Sequence, residues 1–219
     1  MTRILAHASS RSRPRREVLR ARLSLATPAL LPELRLYRAG PHSGLARLAS
    51  GARAPYWAYP WAGGLALARY LLDHAETVAG KRVLDLGAGG GLVAIAAMKA
   101  GARAATAIDV DPDAIEMIAL NAEANAVTVA ALCGDPLDDP PPDVDLVLVG
   151  DLFYEASLAA RATAFLDRCA SAGVGALVGD PWRAPMPRAR LDRLAEYRVA
   201  DFGDALDAAT TASAVFAFA

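Results

Sequence analysis

Between Lys81 and Asp180 one pattern recurs: a short apolar run of strand character, a turn, then a stretch of helical character. The runs are "KRVLDLG", "AATAIDV", "VTVAALC", "VDLVLVG" and "VGALVGD". Helix-like "GLVAIAAMKAG", "DPDAIEMIALNAEANA" and a segment near Glu155–Ala172 stand between them. Such alternation sets the strands parallel, because each return path is a helix lying on a face of the sheet. Continuous apolar runs such as "VDLVLV" (Val144–Val149) agree, since strands covered on both faces lose the polar half of their alternation. Pro112 suits the first turn of its helix. The prolines of "GDPLDDPPPD" stop regular structure before the fourth strand. Upstream, Trp61–Gly80 reads as a helix whose Leu65, Ala68, Leu71 and Leu72 share a buried face. Downstream, a helix is expected at Arg188–Glu196. "YRVADFGD" and "TASAVFAFA" follow with no helix between them and are expected to pair antiparallel.

Charge is placed unevenly. Residues 1–54 hold 11 arginines against Glu17 and Glu33, although the whole chain carries a net charge of only −1. The stretch "RSRPRREVLRARL" (Arg11–Leu23) suits a nucleic-acid arm, an Arg-rich transit peptide, or an amphipathic helix. In the last reading Val18, Leu19 and Leu23 share a face with arginines opposite. Arginine and alanine abound throughout, which favours that plain helix and speaks against nucleic acid as a partner. No apolar run is long enough to span a bilayer, so no membrane partner is expected. Cys133 and Cys169 form no CxxC or Cys/His cluster. Both are expected as small buried side chains in a reducing compartment, with no zinc site or disulfide. His7, His42 and His74 lack the spacing of a metal site or triad and are expected on the surface or in loops. Residue usage points to a bacterial cytoplasm, or to the mitochondrial matrix if the host is eukaryotic.

In "VLDLGAGGG" Asp85 precedes Gly87, Gly89 and Gly91. Glycines here let the chain turn sharply from strand to helix and let a ligand approach the backbone. Dinucleotide folds also use a glycine loop, but theirs is GxGxxG, and Leu92 stands where the third glycine would be. An acid at the first strand's end would repel a pyrophosphate and welcome an ammonium group. Asp109 ends the second strand, at the distance where an acid accepts both ribose hydroxyls. Asp135 ends the third, placed to meet an adenine amino group, although Gly-Asp-Pro is also ordinary turn chemistry. A ligand with a ribose diol, an amino group and no phosphate is S-adenosylmethionine.

These motifs resemble the class I methyltransferases. The resemblance implies an α/β fold: a Rossmann-like, seven-stranded sheet, mostly parallel, with a C-terminal antiparallel pair. Residues 55–219 would form that domain, and residues 1–54 a basic helical extension with a strand packed on it. After strand four, enzymes acting on exocyclic amines or glutamine carry Asn/Asp-Pro-Pro-Tyr/Phe, whereas this chain has Asp151-Leu152-Phe153-Tyr154. That Asp-x-x-Tyr resembles the seven-β-strand protein lysine methyltransferases of family 16. "TPALLPELRLYRA" (Thr27–Ala39), "YWAYPWAGG", "GDLFY" and "VGDPWR" (Val178–Arg183) are similar to the branch acting on the β-subunit of electron transfer flavoprotein. The resemblance implies S-adenosylmethionine as cofactor and that subunit as protein partner. Asp151 would border the cofactor and accept from the incoming amine, and Tyr154 would line the lysine channel. The plain readings are a helix N-cap for Asp151 and a core tyrosine for Tyr154. Trp61 covers the adenosyl group or is a buried helix-start residue; Phe153 packs or walls the methionine pocket. Three alternatives stay open: a nicotinamide-type small-molecule N-methyltransferase, a ribosomal-protein lysine methyltransferase, and a non-catalytic S-adenosylmethionine-binding protein.

Overall fold

The computed structural model describes residues 12–40, 43–44, 54–200 and 210–219. His7 and His42, the start of the basic arm and the end of "YRVADFGD" lie outside the described residues. Helix α1 (Ser12–Arg22) leads to strands β1 (Ser24–Ala26) and β2 (Leu36–Arg38), an antiparallel pair apart from the main sheet. Then follow a 3-10 turn at Tyr56–Ala58, α2 (Ala62–Asp73), β3 (Arg82–Leu86), α3 (Leu92–Lys99), β4 (Ala104–Asp109) and α4 (Pro112–Ala124). The chain continues through β5 (Ala130–Cys133), β6 (Leu146–Gly150), α5 (Ala156–Ser171), β7 (Gly175–Asp180), β8 (Leu191–Ala200) and β9 (Thr210–Phe218). Seven strands form one sheet in the order β5-β4-β3-β6-β7-β9-β8. The first five are mutually parallel, while β9 runs antiparallel to both β7 and β8.

Alternation along the strands divides the core. Val83, Leu148, Leu177 and Val215 face α2 and α3. Leu84, Val147, Val149, Val178 and Phe216 face Phe165, Leu166 and Cys169 of α5. Both faces are therefore apolar, as the sequence runs suggest. α2 buries every residue from Ala62 to Ala68, more than the single stripe expected of it.

The described part of the basic arm packs on the molecule. α1 lies along α4, with Leu19 and Leu23 packed on Ala114, Met117 and Leu120. Arg15 pairs with Asp113, Nε to Oδ1 at 2.7 Å, Arg16 with Glu116 at 3.0 Å and Arg20 with Glu123 at 2.7 Å. The Asp113 side chain is only 8% exposed, so that pair is shielded, whereas the outlying Arg20–Glu123 pair adds little. Val18, placed on the buried face by the sequence, is exposed. Among the described residues no helix is long and apolar enough to cross a membrane.

Two further expectations are corrected. Arg188–Glu196 is not a helix: a 3-10 turn at Arg188–Arg190 opens directly into β8. Leu191 and Leu194, three apart, mimic helical spacing, but pairing with β9 wins. A bulge between Arg193 and Ala195 resets the phase, after which Ala195, Tyr197 and Val199 turn inward. Cys133 is exposed because it ends the edge strand β5, while Cys169 is buried as expected.

At its N-terminal end α2 meets β7 backbone to backbone. A Cβ on Gly179 would lie 2.2 Å from the Gly63 carbonyl oxygen, and one on Gly63 would lie 2.2 Å from that of Gly179. No rotamer relieves a clash with backbone. Gly179→Ala should therefore cost about 3 kcal/mol or more of stability in a urea melt, while Gly40→Ala, which meets nothing within 4 Å, should stay within about 0.5 kcal/mol.

Candidate active site

The sheet order reverses at β3, which has β4 on one side and β6 on the other. Crossovers there leave in opposite directions, and the carboxyl ends of the strands open a crevice. Four strands deliver acids to it: Asp85 within β3, Asp109 at the end of β4, Asp151 just after β6 and Asp180 at the end of β7.

Asp85 is buried, and its Oδ2 accepts a hydrogen bond from the Ala94 amide of α3 at 2.9 Å. Burial pushes its carboxyl up to about 7 despite that amide, and the charge of Asp109 adds to the rise. Gly87, Gly89 and Gly91 all have positive φ, at 68°, 53° and 78°, which a side chain would strain. Asp109 ties this loop to β4: Oδ2 accepts from Gly89 N at 2.8 Å and Oδ1 from Asp111 N at 2.9 Å. Burial raises its carboxyl as well, with the amides opposing. Asp135 reaches the same crevice but is engaged on both oxygens. Leu137 N donates to Oδ1 at 3.1 Å, which is the turn chemistry, and Arg161 donates to Oδ2 at 3.0 Å.

Asp151 sits in the left-handed region, at φ 58°. It does not cap the helix that follows, since Glu155 does, accepting from Ser157 N at 2.9 Å and Leu158 N at 3.2 Å. Asp151 instead caps α2, 88 residues away. Gly63 N donates to Oδ1 at 3.0 Å and Gly64 N to Oδ2 at 2.6 Å. Arg183 donates to the same Oδ1 at 2.7 Å and to Asp180 Oδ2 at 3.1 Å, while Asp180 Oδ1 accepts from Arg183 N at 2.7 Å. Burial raises both carboxyls, and the guanidinium between them opposes the rise.

Around these acids lie a recess of about 70 Å³ and an adjoining cleft of about 680 Å³. Asp85, Gly64, Trp57 and Asn121 line the recess; Asp109, Asp135, Tyr154 and Arg183 line the cleft; Trp61, Gly87, Gly89 and Asp151 border both. Trp61 is half-buried at the N-cap position of α2, and its Nε1 donates to Tyr56 O at 2.9 Å. Phe153 is wholly buried under α5 and lines neither space, so it packs. Tyr154 is not a core residue: 56% exposed, it stands on the cleft lip with its ring 6.1 Å from that of Tyr56.

Sequence reasoning missed several of these residues. Asn121 donates to Gly90 O at 2.8 Å and accepts from Tyr37 N at 2.8 Å, joining the glycine loop to β2. Trp57 donates to Asp111 Oδ2 at 3.1 Å. An asparagine in a helix and a tryptophan in a loop carry no sequence signal of such partners. Arg183 had a signal, an arginine three residues after an acid that ends a buried strand.

The donor set matches a cation with a diol. No lysine or arginine stands among the described residues of the recess, so a pyrophosphate there would meet carboxylates uncompensated. S-adenosylmethionine is a ligand of that kind, carrying an ammonium group and a ribose diol and no phosphate.

Comparison with known proteins agrees. A family model described as ribosomal protein L11 methyltransferase (PrmA) matches residues 66–149. The electron transfer flavoprotein beta subunit lysine methyltransferase of Danio rerio is 40% identical over 170 residues, covering 75% of this chain and 66% of its own length. Its namesake in Xenopus laevis is 40% identical over 178 residues, covering 75% and 69%. The chain thus spans about two thirds of the length of the curated relatives it matches. Among solved structures, the Thermus thermophilus 16S rRNA N2 G1207 methyltransferase (RsmC) with AdoMet and guanosine superimposes with a TM-score of 0.56. At 20% identity, over 90% of this chain and 50% of that one, it shows likeness of fold alone.

Two outcomes are expected. A raised Asp85 carboxyl is neutral below pH 7 and cannot hold a cation there. S-adenosylmethionine affinity measured by calorimetry should therefore rise roughly ten-fold from pH 6 to 7.5, below the titration of the ligand amine, and Asp85→Asn should flatten the profile. Removing the Asp151 carboxylate leaves Arg183 and two helix amides short of an acceptor, so Asp151→Ala should lower the unfolding free energy by about 3 kcal/mol in denaturant titration.

Proposed function

The chain belongs to the family of electron transfer flavoprotein β-subunit lysine methyltransferases, and from that premise we propose that it transfers methyl groups from S-adenosylmethionine to lysine side chains of that flavoprotein subunit. The observation that carries this reading is the sharing of Asp151 between the recess and the cleft. A donor held by Asp85 and Asp109 and an acceptor entering beside Tyr154 would meet at that one carboxylate.

When bound, S-adenosylmethionine supplies an electrophilic methyl group on its sulfonium. The residues of the chain have then mainly to position, as in any in-line displacement. Asp85 would take the amino acid end of the cofactor and Asp109 the ribose hydroxyls. Trp61 would border the adenosyl group, and Asp135 would stand at the adenine end. The glycine loop lets the cofactor approach the backbone. On the acceptor side the lysine arrives as an ammonium and sheds its proton to water in the cleft. A carboxylate offers about four lone-pair sites. Asp151 uses three of them on Gly63, Gly64 and Arg183, which leaves one on Oδ2 for the arriving amine.

The match to the ribosomal protein L11 methyltransferases favours a second acceptor, but it stops at residue 149, before Asp151 and Tyr154. It speaks for the donor half of the site only.

Incubating the protein with labelled S-adenosylmethionine and purified flavoprotein β-subunit should label lysine in that subunit. Asp109→Ala should weaken cofactor binding roughly ten- to one-hundred-fold, the worth of hydrogen bonds to a charged group. Label appearing in ribosomal protein L11 or a nicotinamide-type amine, with none in the flavoprotein subunit, would overturn the assignment.

A further inference from the structure

We infer that Tyr56 is a substrate-binding residue whose ring, together with that of Tyr154, grips the lysine ammonium at the mouth of the cleft. The inference rests on the lysine-methyltransferase reading above and names a residue that the Asp-x-x-Tyr motif does not contain.

The need for it comes from the acids. Asp151 has one lone-pair site left, as counted above. Asp180 is fully buried and already receives both the amide and the guanidinium of Arg183. Arg183 itself lines the cleft, so the arriving ammonium passes a like charge, to which these two carboxylates are already bound. The other acids of the cleft are engaged too: Asp109 by the Gly89 and Asp111 amides, Asp111 by the Asp113 amide and the Trp57 indole, Asp135 by the Leu137 amide and Arg161, and Glu155 by the Ser157 and Leu158 amides. Carboxylate attraction there is thus largely taken up inside the protein.

What the mouth offers instead is aromatic surface. Tyr56 and Tyr154 are 55% and 56% exposed, both line the cleft, and their ring centroids lie 6.1 Å apart with the planes inclined at 41°. A cation beside the pair can lie within about 6 Å of both centroids, the range over which a ring quadrupole attracts it. The Trp61 ring stands edge-on to Tyr56 at 5.7 Å and extends the same wall.

Tyr56 is also held in register with the chemistry. Its carbonyl accepts from Trp61 Nε1 at 2.9 Å and from Tyr59 N at 3.3 Å. Trp61 in turn precedes the glycine pair whose amides Asp151 holds. A short run of contacts therefore links the Tyr56 backbone to the acid at the meeting point of donor and acceptor. A ring face needs no N–H from its ligand, so the grip persists as the nitrogen exchanges hydrogens for methyl groups.

The test uses the full chain, S-adenosylmethionine and the purified flavoprotein β-subunit. Tyr56→Leu should raise KM for the protein substrate about ten-fold, while S-adenosylmethionine affinity by calorimetry stays within about two-fold and reports an intact fold. Tyr56→Phe, which keeps the ring face, should bring KM back to within about three-fold of the parent. An unchanged KM in Tyr56→Leu, or equal damage in Tyr56→Leu and Tyr56→Phe, overturns the inference while parental lysine methylation upholds the function. A parent protein that labels no lysine overturns both.

Discussion

Two backbone amides at the start of α2 donate to one carboxylate, and most of the site is arranged around that contact. Asp151 can reach Gly63 and Gly64 only because α2 lies against the ends of β6 and β7 without side chains between. Gly150, Gly179 and the Gly63–Gly64 pair leave the necessary room. A helix N-terminus carries partial positive charge and welcomes an anion. The capping is therefore electrostatic as well as geometric, and it helps keep a buried acid charged beside Arg183. The same carboxylate separates the recess under the glycine loop from the open cleft.

A second set of contacts builds the roof of the recess from the N-terminal segment. Asn121 and Asn125 present side-chain amides to the backbone of β2 much as a neighbouring strand would. Tyr37 N and Arg35 N donate to them at 2.8 and 2.9 Å, and Asn125 Nδ2 returns a bond to Arg35 O at 2.6 Å. Trp57, held at Asp111, then lies over Gly89, whose Cβ position would be 3.6 Å from the Trp57 Cα. The arginines of α1 clamp the same helix α4 from outside. Three of the arginines that looked available for nucleic acid in the sequence, Arg15, Arg16 and Arg20, pair instead with Asp113, Glu116 and Glu123 of α4.

The one wrong element and the alternatives left open by the sequence share one cause. The helix expected at Arg188–Glu196 is a strand: the three-residue spacing of Leu191 and Leu194 is locally ambiguous, and only β9 alongside decides. The plain alternative for Asp151, a local cap on the helix that follows, gives way because its partners come from 88 positions upstream. Tyr154, read for the channel with a core position as the plain alternative, is exposed on the cleft lip beyond the left-handed turn at Asp151 and the buried Phe153. Asn121 and Trp57 went unread because each acts through residues far away in the chain, and Arg183 and Tyr56 because their near partners, Asp180 and Trp61, do not reveal the distant ones, Asp151 and Tyr154.

What the sequence determined by itself was everything governed by neighbours along the chain. The five parallel strands follow from apolar runs and alternation, the loop from GxGxG, the donor acids from their places at strand ends, and the start of α4 from Asp111 and Pro112. Tertiary structure alone decided which carboxylates remain available and which are consumed. Asp151 and Asp85 are both acids at the ends of central strands. One is surrounded by amides and a guanidinium, while the other, so buried that its carboxyl rises to about 7, meets one amide and the charge of Asp109. That difference depends on hydrogen-bond partners and burial, which packing sets and local sequence does not.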